Sequence, residues 1–163
     1  MLLKLNAKSG QRGGTLVEFA IGATVFMTAM FAVLEFGRAL WTHNALSDAA
    51  RRGARYAIHQ PASTPAGVKT TCTGPCTDVG PSVMAIKNVA VYGNPDGGTN
   101  PMVNDLTTDN VHVRYQDFGL GEGTVSVTIE GYQFQFAIPM VGTTITMPDY
   151  NTTLTAENAG VMP

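Results

Sequence analysis

At 163 residues and 17.2 kDa the chain has room for one modest domain, and its charged fraction of 13% is about half that of a typical soluble domain. The net charge of −2 is segregated. Residues 1–13 carry Lys4, Lys8 and Arg12 without an acid, residues 14–60 stand at +1, and residues 61–163 stand at −6. An acidic C-terminal part has no clustered Lys and Arg to neutralise phosphates, which argues against nucleic acid as a partner.

The first predicted element is a long apolar helix. No charged residue occurs from Phe19 to Leu34, and adding Leu16, Val17 and Phe36 brings the run to the length of about 20 residues that a membrane span needs. A secretory signal would have a shorter apolar core and an Ala-x-Ala exit, absent between residues 20 and 50. A buried soluble helix would be amphipathic, whereas this run is apolar on every face. The positive charges before the run favour a cytoplasmic N-terminus.

Helical pattern continues past the membrane edge, since no proline interrupts Glu35 to Ile58. Ala45, Ala49, Gly53 and Ala57 recur every four residues as a small-residue ridge, with Leu46, Ala50 and Ala54 alongside. That ridge is expected to pack against other subunits. Arg51, Arg52 and Arg55 read as a water-facing flank. Glu35 and Arg38 read as markers of the membrane edge rather than as a strong pair. Pro61 is the first breaker. A helix from about Thr15 to His59 would be roughly 65 Å long, about twice the hydrocarbon thickness, so half of it should stand outside.

Residues 60–81 read as a loop holding Cys72-Thr-Gly-Pro-Cys76. Zinc would need a second ligand pair, and the spacing is one too long for a thioredoxin-type motif. In an exported head a disulfide closing this turn is the natural reading, with two free thiols as the alternative. Ser82 to Tyr92 reads as a second helix, capped by Ser82 and stopped by Gly93, although its β-branched content leaves a strand open. Strict alternation then predicts strands at Val111–Tyr115 and at Val125–Ile129, the latter continuing through Tyr132–Phe136. Gly119–Gly123 would make the hairpin turn, and residues 143–155 a third strand. The expected fold is α+β, type IV pilin-like: a transmembrane and stalk helix, then a short second helix and a three- to four-stranded antiparallel sheet covered by the helix's outer half.

No residue constellation suggests catalysis or a metal. His43, His59 and His112 are scattered, no serine stands in a Gly-x-Ser-x-Gly elbow, and the glycine pairs lack the Lys-Ser/Thr of a phosphate loop. The expectation is a non-enzyme without cofactor or metal.

The segment Arg12-Gly-Gly-Thr-Leu-Val-Glu18-Phe19 resembles the processing motif of type IV prepilins, in which a glycine and four residues precede Glu-Phe. More narrowly, with Leu34-Glu-Phe-Gly-Arg-Ala-Leu40, the run Ala49–Ala57 and Thr153-Leu-Thr-Ala-Glu157, the chain resembles TadE-like minor pilins of tight-adherence (Flp) pilus systems. The similarity covers about residues 10–58 well and the strands weakly. What the resemblance implies is a basic leader over 1–13, cut after Gly13 by a prepilin peptidase so that Gly14 becomes the N-terminus. A helix over 14–60 follows, its membrane half about 16–36 and its periplasmic half about 37–59, and then a head over 61–163. Glu18 would pair with the Gly14 amine of a neighbouring subunit, lowering the cost of a carboxylate in lipid. The implied partners are the membrane, the peptidase, other pilin subunits and pilus-assembly proteins. The implied location is the bacterial inner membrane, in a single pass with the head periplasmic, and in assembled pili the cell exterior, with a role in adhesion. The rival reading is a permanently anchored envelope protein whose head is a binding module of a secretion or assembly complex.

Overall fold

A computed structural model describes residues 10–60, 76–78, 80, 82–116, 124–137 and 144–155. The fold is α+β. Helix α1 runs without a break over Gly10–Ala57, beginning before and ending slightly short of the expected bounds. Two compact units divide the chain at Arg38 and Ala39, so residues 39–57 of α1 belong to the head.

In the first unit the apolar side chains stand exposed among the described residues. Leu16, Phe19, Val25, Phe26 and Val33 are all more than 60% exposed, far more than any core residue. The only hydroxyls in the run's middle turn inward on the backbone. Thr24 donates to the Ala20 carbonyl and Thr28 to the Thr24 carbonyl, each at 2.8 Å. Such back-bonding satisfies a hydroxyl where no water is at hand.

The second unit is the head. Its main sheet is antiparallel with strand order β1-β2-β3-β6, where β1 is Cys76–Thr77, β2 is Val111–Gln116, β3 is Thr124–Ile129 and β6 is Tyr150–Thr155. β2 and β3 pair over their whole length from Val111 against Ile129 to Gln116 against Thr124. Their alternation translates into burial, because Val111, Val113, Val125, Val127 and Ile129 are all sealed from solvent. The predicted hairpin pairing is therefore present, while its turn at Gly119–Gly123 lies outside the described residues.

Two expected strands divide. The run through Tyr132–Phe136 leaves β3 at Gly131, whose φ of +66° is a left-handed conformation suited to glycine. Residues Gln133–Gln135 form β4, which pairs with β5 (Thr144–Thr146) as a separate two-stranded ribbon. Consequently residues 143–155 are not one strand: β5 serves the ribbon, and β6 joins β3 in the main sheet.

Helix α2 spans Val83–Tyr92 and ends at Gly93, whose left-handed φ of +75° lets its N–H bond the Val89 carbonyl. The strand alternative for this segment is excluded. Ser82 does stand at the N-cap position, but its backbone is already helical and its side chain makes no capping bond, which corrects the expected cap. The core gathers Leu46, Ile86, Leu106, Val113 and Val127 between the outer half of α1, α2 and the sheet.

Candidate functional site

The residues of the prepilin-like motif stand on helix. Gly13, Gly14, Glu18 and Phe19 all lie within α1 and are exposed. Among the described residues nothing lies within 4 Å of the positions where β-carbons on Gly13 and Gly14 would sit. Glu18 makes no ion pair among the described residues, although it is bounded by exposed Val17 and Phe19. A carboxylate flanked by apolar side chains suits an aqueous boundary or a cationic partner.

At the other end of the apolar run Glu35 and Arg38 do pair, with Arg38 Nη2 3.1 Å from Glu35 Oε2. Spacing of three on a helix brings the two side chains over one another, and the contact neutralises a carboxylate at the edge of the apolar stretch.

The small-residue ridge is engaged inside the chain. Ala49 and Ala57 are fully buried, and a β-carbon on Gly53 would lie 3.2 Å from both Ala90 Cβ and Val127 Cγ1. Close approach is to α2 and β3 of the same head, and Ala49, Gly53 and Ala57 are buried there. Only Ala45 remains partly open. Within the head the ridge thus serves the chain's own packing. Of the neighbouring arginines, Arg51 and Arg55 face water, and Arg51 lies 3.6 Å from Asp48. Arg52 is half-buried, with an Nε that meets no acceptor among the described residues.

Two polar clusters join residues far apart in sequence. Asp78, at a left-handed φ of +57°, accepts bonds from the Val113 N–H at 3.0 Å and the His112 ring at 2.9 Å, and lies 3.2 Å from Lys87 Nζ. An ionised carboxylate has no proton to give, so His112 Nδ1 is the donor. Burial on its own pushes the Asp78 carboxyl up, but the Val113, His112 and Lys87 contacts together outweigh it, and the group is held below its usual 3.8. The second cluster is His43 with Tyr150, which share a 2.7 Å hydrogen bond and an edge-on ring contact. Burial raises the Tyr150 phenol and pushes that of Tyr115 up to about 12. Sequence spacing gives no sign of either cluster, because their members are 34 and 107 residues apart. Among the described residues no three His, Cys, Asp or Glu gather as a metal site.

Cys76 pairs by backbone with Tyr115 at the edge of the main sheet. Cys72 and the expected bridge between them lie outside the described residues, as do residues 1–9 of the leader. A shallow cleft of about 250 Å³ opens beside the outer half of α1, lined by Trp41, Asn44, Asp48, Arg52, Met102 and Val103.

Comparison with known proteins finds no significant match among curated proteins or solved structures. The helix from Gly13 to Ala57 is long and apolar enough to cross a membrane. Residues 13–55 match the family model described as TadE-like protein, and this similarity together with the exposed apolar helix supports a membrane-anchored chain.

Proposed function

We propose that this chain is a structural minor pilin or pseudopilin, held in the inner membrane by α1 and taking part in the assembly or tip of a tight-adherence pilus after cleavage at Gly13. The TadE-like match at residues 13–55 supports a place with such pilus systems. The observation that carries the reading is the uncovered apolar run itself. A rod with Leu16, Phe19, Phe26 and Val33 all bare is stable only in lipid or among other apolar helices. A pilin occupies both settings in turn.

The leader explains how the transfer begins. Three positive charges before Gly13 hold the N-terminus on the cytoplasmic side, and their removal frees the helix to leave the bilayer. Gly13-Gly14 is a suitable place to cut. Each glycine in a helix costs about 1 kcal/mol relative to alanine, so the adjacent pair lowers the cost of local unwinding for a peptidase by about 2 kcal/mol. Cleavage would also create an ammonium at Gly14, the natural counter-charge for Glu18 of a neighbouring subunit. In this reading the head is periplasmic, acts by contact with other pilins and assembly proteins, and performs no catalysis.

The N-terminal residue of membrane-extracted chain, determined by mass spectrometry with and without the prepilin peptidase, tests the proposal. Gly14 as first residue in the wild-type host, with the leader retained in the peptidase deletion, is expected. Retention of the leader in both hosts would leave the permanently anchored binding module as the better account.

A further inference from the structure

One row of side chains on the head's part of α1 lines the cleft. Trp41, Ala45, Asp48 and Arg52 follow one another at intervals of four, three and four residues, which on a helix sets them along a single stripe. From Trp41 to Arg52 the stripe is about 16 Å long. Met102 and Val103 complete the lining. Trp41 is 62% exposed and Met102 51% exposed, while Val103 is sealed in the core. The Met102 N–H bonds the Val91 carbonyl at 2.8 Å, so the backbone under the methionine is fixed. Ala45 is the ridge member that stays partly open, and its small side chain leaves the middle of the stripe low.

Arg52 is what the cleft leaves unfinished. Its Nε is shut off from solvent without an acceptor, and the guanidinium makes no ion pair among the described residues. Asp48, one turn earlier on the stripe, lies 3.6 Å from Arg51 instead. A cationic donor withdrawn from water and left without a partner is costly, and the planar fork of an arginine matches a carboxylate. Asp48 beside it, and the charge of −6 over residues 61–163, favour a singly charged carboxylate over a phosphate. Tryptophan, methionine and arginine are also the side chains that gather at the centres of protein interfaces.

We propose that this cleft is a docking groove for an amphipathic helix of another protein, which sets an Asp or Glu on Arg52 and an aliphatic or aromatic side chain against Trp41. A shallow cleft admits side chains rather than a main chain. A helix laid along the stripe advances at the same rise per residue as α1, so its two anchors stand about eleven residues apart. The inference rests on the reading above that the head works by contact with proteins, and it stands whether or not the chain is cut at Gly13.

Photo-crosslinking in the host tests the groove on the full chain. Asn44, which also lines the cleft, is replaced by p-benzoylphenylalanine, the cells are irradiated, and the attached segment is mapped by mass spectrometry. The expected adduct is on a helical segment of a different protein that carries an Asp or Glu. Its yield should fall about tenfold or more in Arg52→Glu, the scale of losing one charge-assisted contact, while Arg52→Lys keeps most of it. Reversing the mapped carboxylate to Arg should restore the adduct of Arg52→Glu. The level of each variant in the membrane is measured alongside, and if Arg52→Glu does not accumulate, the loss is read from Arg52→Gln. No adduct, an adduct to lipid alone or to a second copy of this chain, or a protein adduct indifferent to the charge at Arg52 would overturn the groove. The first residue of the same purified chain shows separately whether Gly14 leads it, so an uncut leader and an empty groove are distinct results.

Discussion

Gly53 lies so close to Val127 that a β-carbon on it would sit 3.2 Å from the valine's Cγ1, with Ala90 Cβ equally near on the other side. Helix α1, helix α2 and strand β3 meet at that point. Val127 and Ala90 are both wholly buried and neither can swing aside. Alanine at Gly53 would gain about 1 kcal/mol of helix propensity and lose about 1–3 kcal/mol to overpacking. The expected outcome for Gly53→Ala is a net loss of about 1 kcal/mol, and for Gly53→Val a loss of about 3 kcal/mol or more, read from thermal unfolding of the detergent-solubilised chain. Gly37→Ala is the contrast, since among the described residues nothing lies within 4 Å of its β-carbon position, and it should cause no loss.

Asp78 makes the head's stability depend on acid. Its carboxyl is held below 3.8, so the folded chain keeps it ionised at pH values where the unfolded chain has begun to protonate it. The stability it contributes is complete above 3.8 and is lost as pH falls through the lower, folded value. Replacing Asp78 by Asn should cost about 1 kcal/mol at pH 7, the scale of a partly exposed charged contact. That difference should shrink as the medium is acidified below the ordinary carboxylate range. A gap that stays constant from pH 7 down to pH 2 would mean the carboxylate's charge is not what matters.

Tyr115 gives the opposite limb. Burial pushes its phenol up to about 12 against an ordinary 10, so between those values the unfolded chain gives up the proton and the folded chain keeps it. The head should therefore lose stability as pH rises from 10 through about 12. Ultraviolet titration should show a tyrosinate step near 12 that disappears in Tyr115→Phe. A step no later than pH 10.5 for every tyrosine would contradict the burial.

The His43–Tyr150 bond ties the outer half of α1 to edge strand β6. Tyr150→Phe keeps the ring contact and removes the hydroxyl, so a loss of about 1 kcal/mol is expected. His43→Ala, which removes both, should cost more. Equal losses in the two variants would mean that the hydrogen bond carries the whole connection.

Much of this architecture is legible in the sequence because period and composition act locally. An apolar run without charge can only be a lipid- or helix-covered rod, and β2 with β3 follows from alternation alone. Helix α2 follows from its apolar positions 83, 86, 89 and 90, all buried in the head. The ribbon of β4 and β5 was partly visible too. Buried positions are odd-numbered through Ile129 and even-numbered at Tyr132 and Phe134, and that change of parity at Glu130-Gly131 is the mark of a strand that breaks. The Asp78, Lys87 and His112 cluster was not legible, since it is made by pairing of β1 with β2 and by docking of α2. For the small-residue ridge the spacing told of close approach but not of which backbone approaches. Only Gly53 against Ala90 and Val127 answers that.

Alkaline carbonate extraction of host membranes shows directly whether the bare apolar half of α1 lives in lipid. The chain is expected to stay in the membrane pellet at high pH and to be released only by detergent. Recovery of the intact chain as a water-soluble monomer in the carbonate supernatant would contradict it.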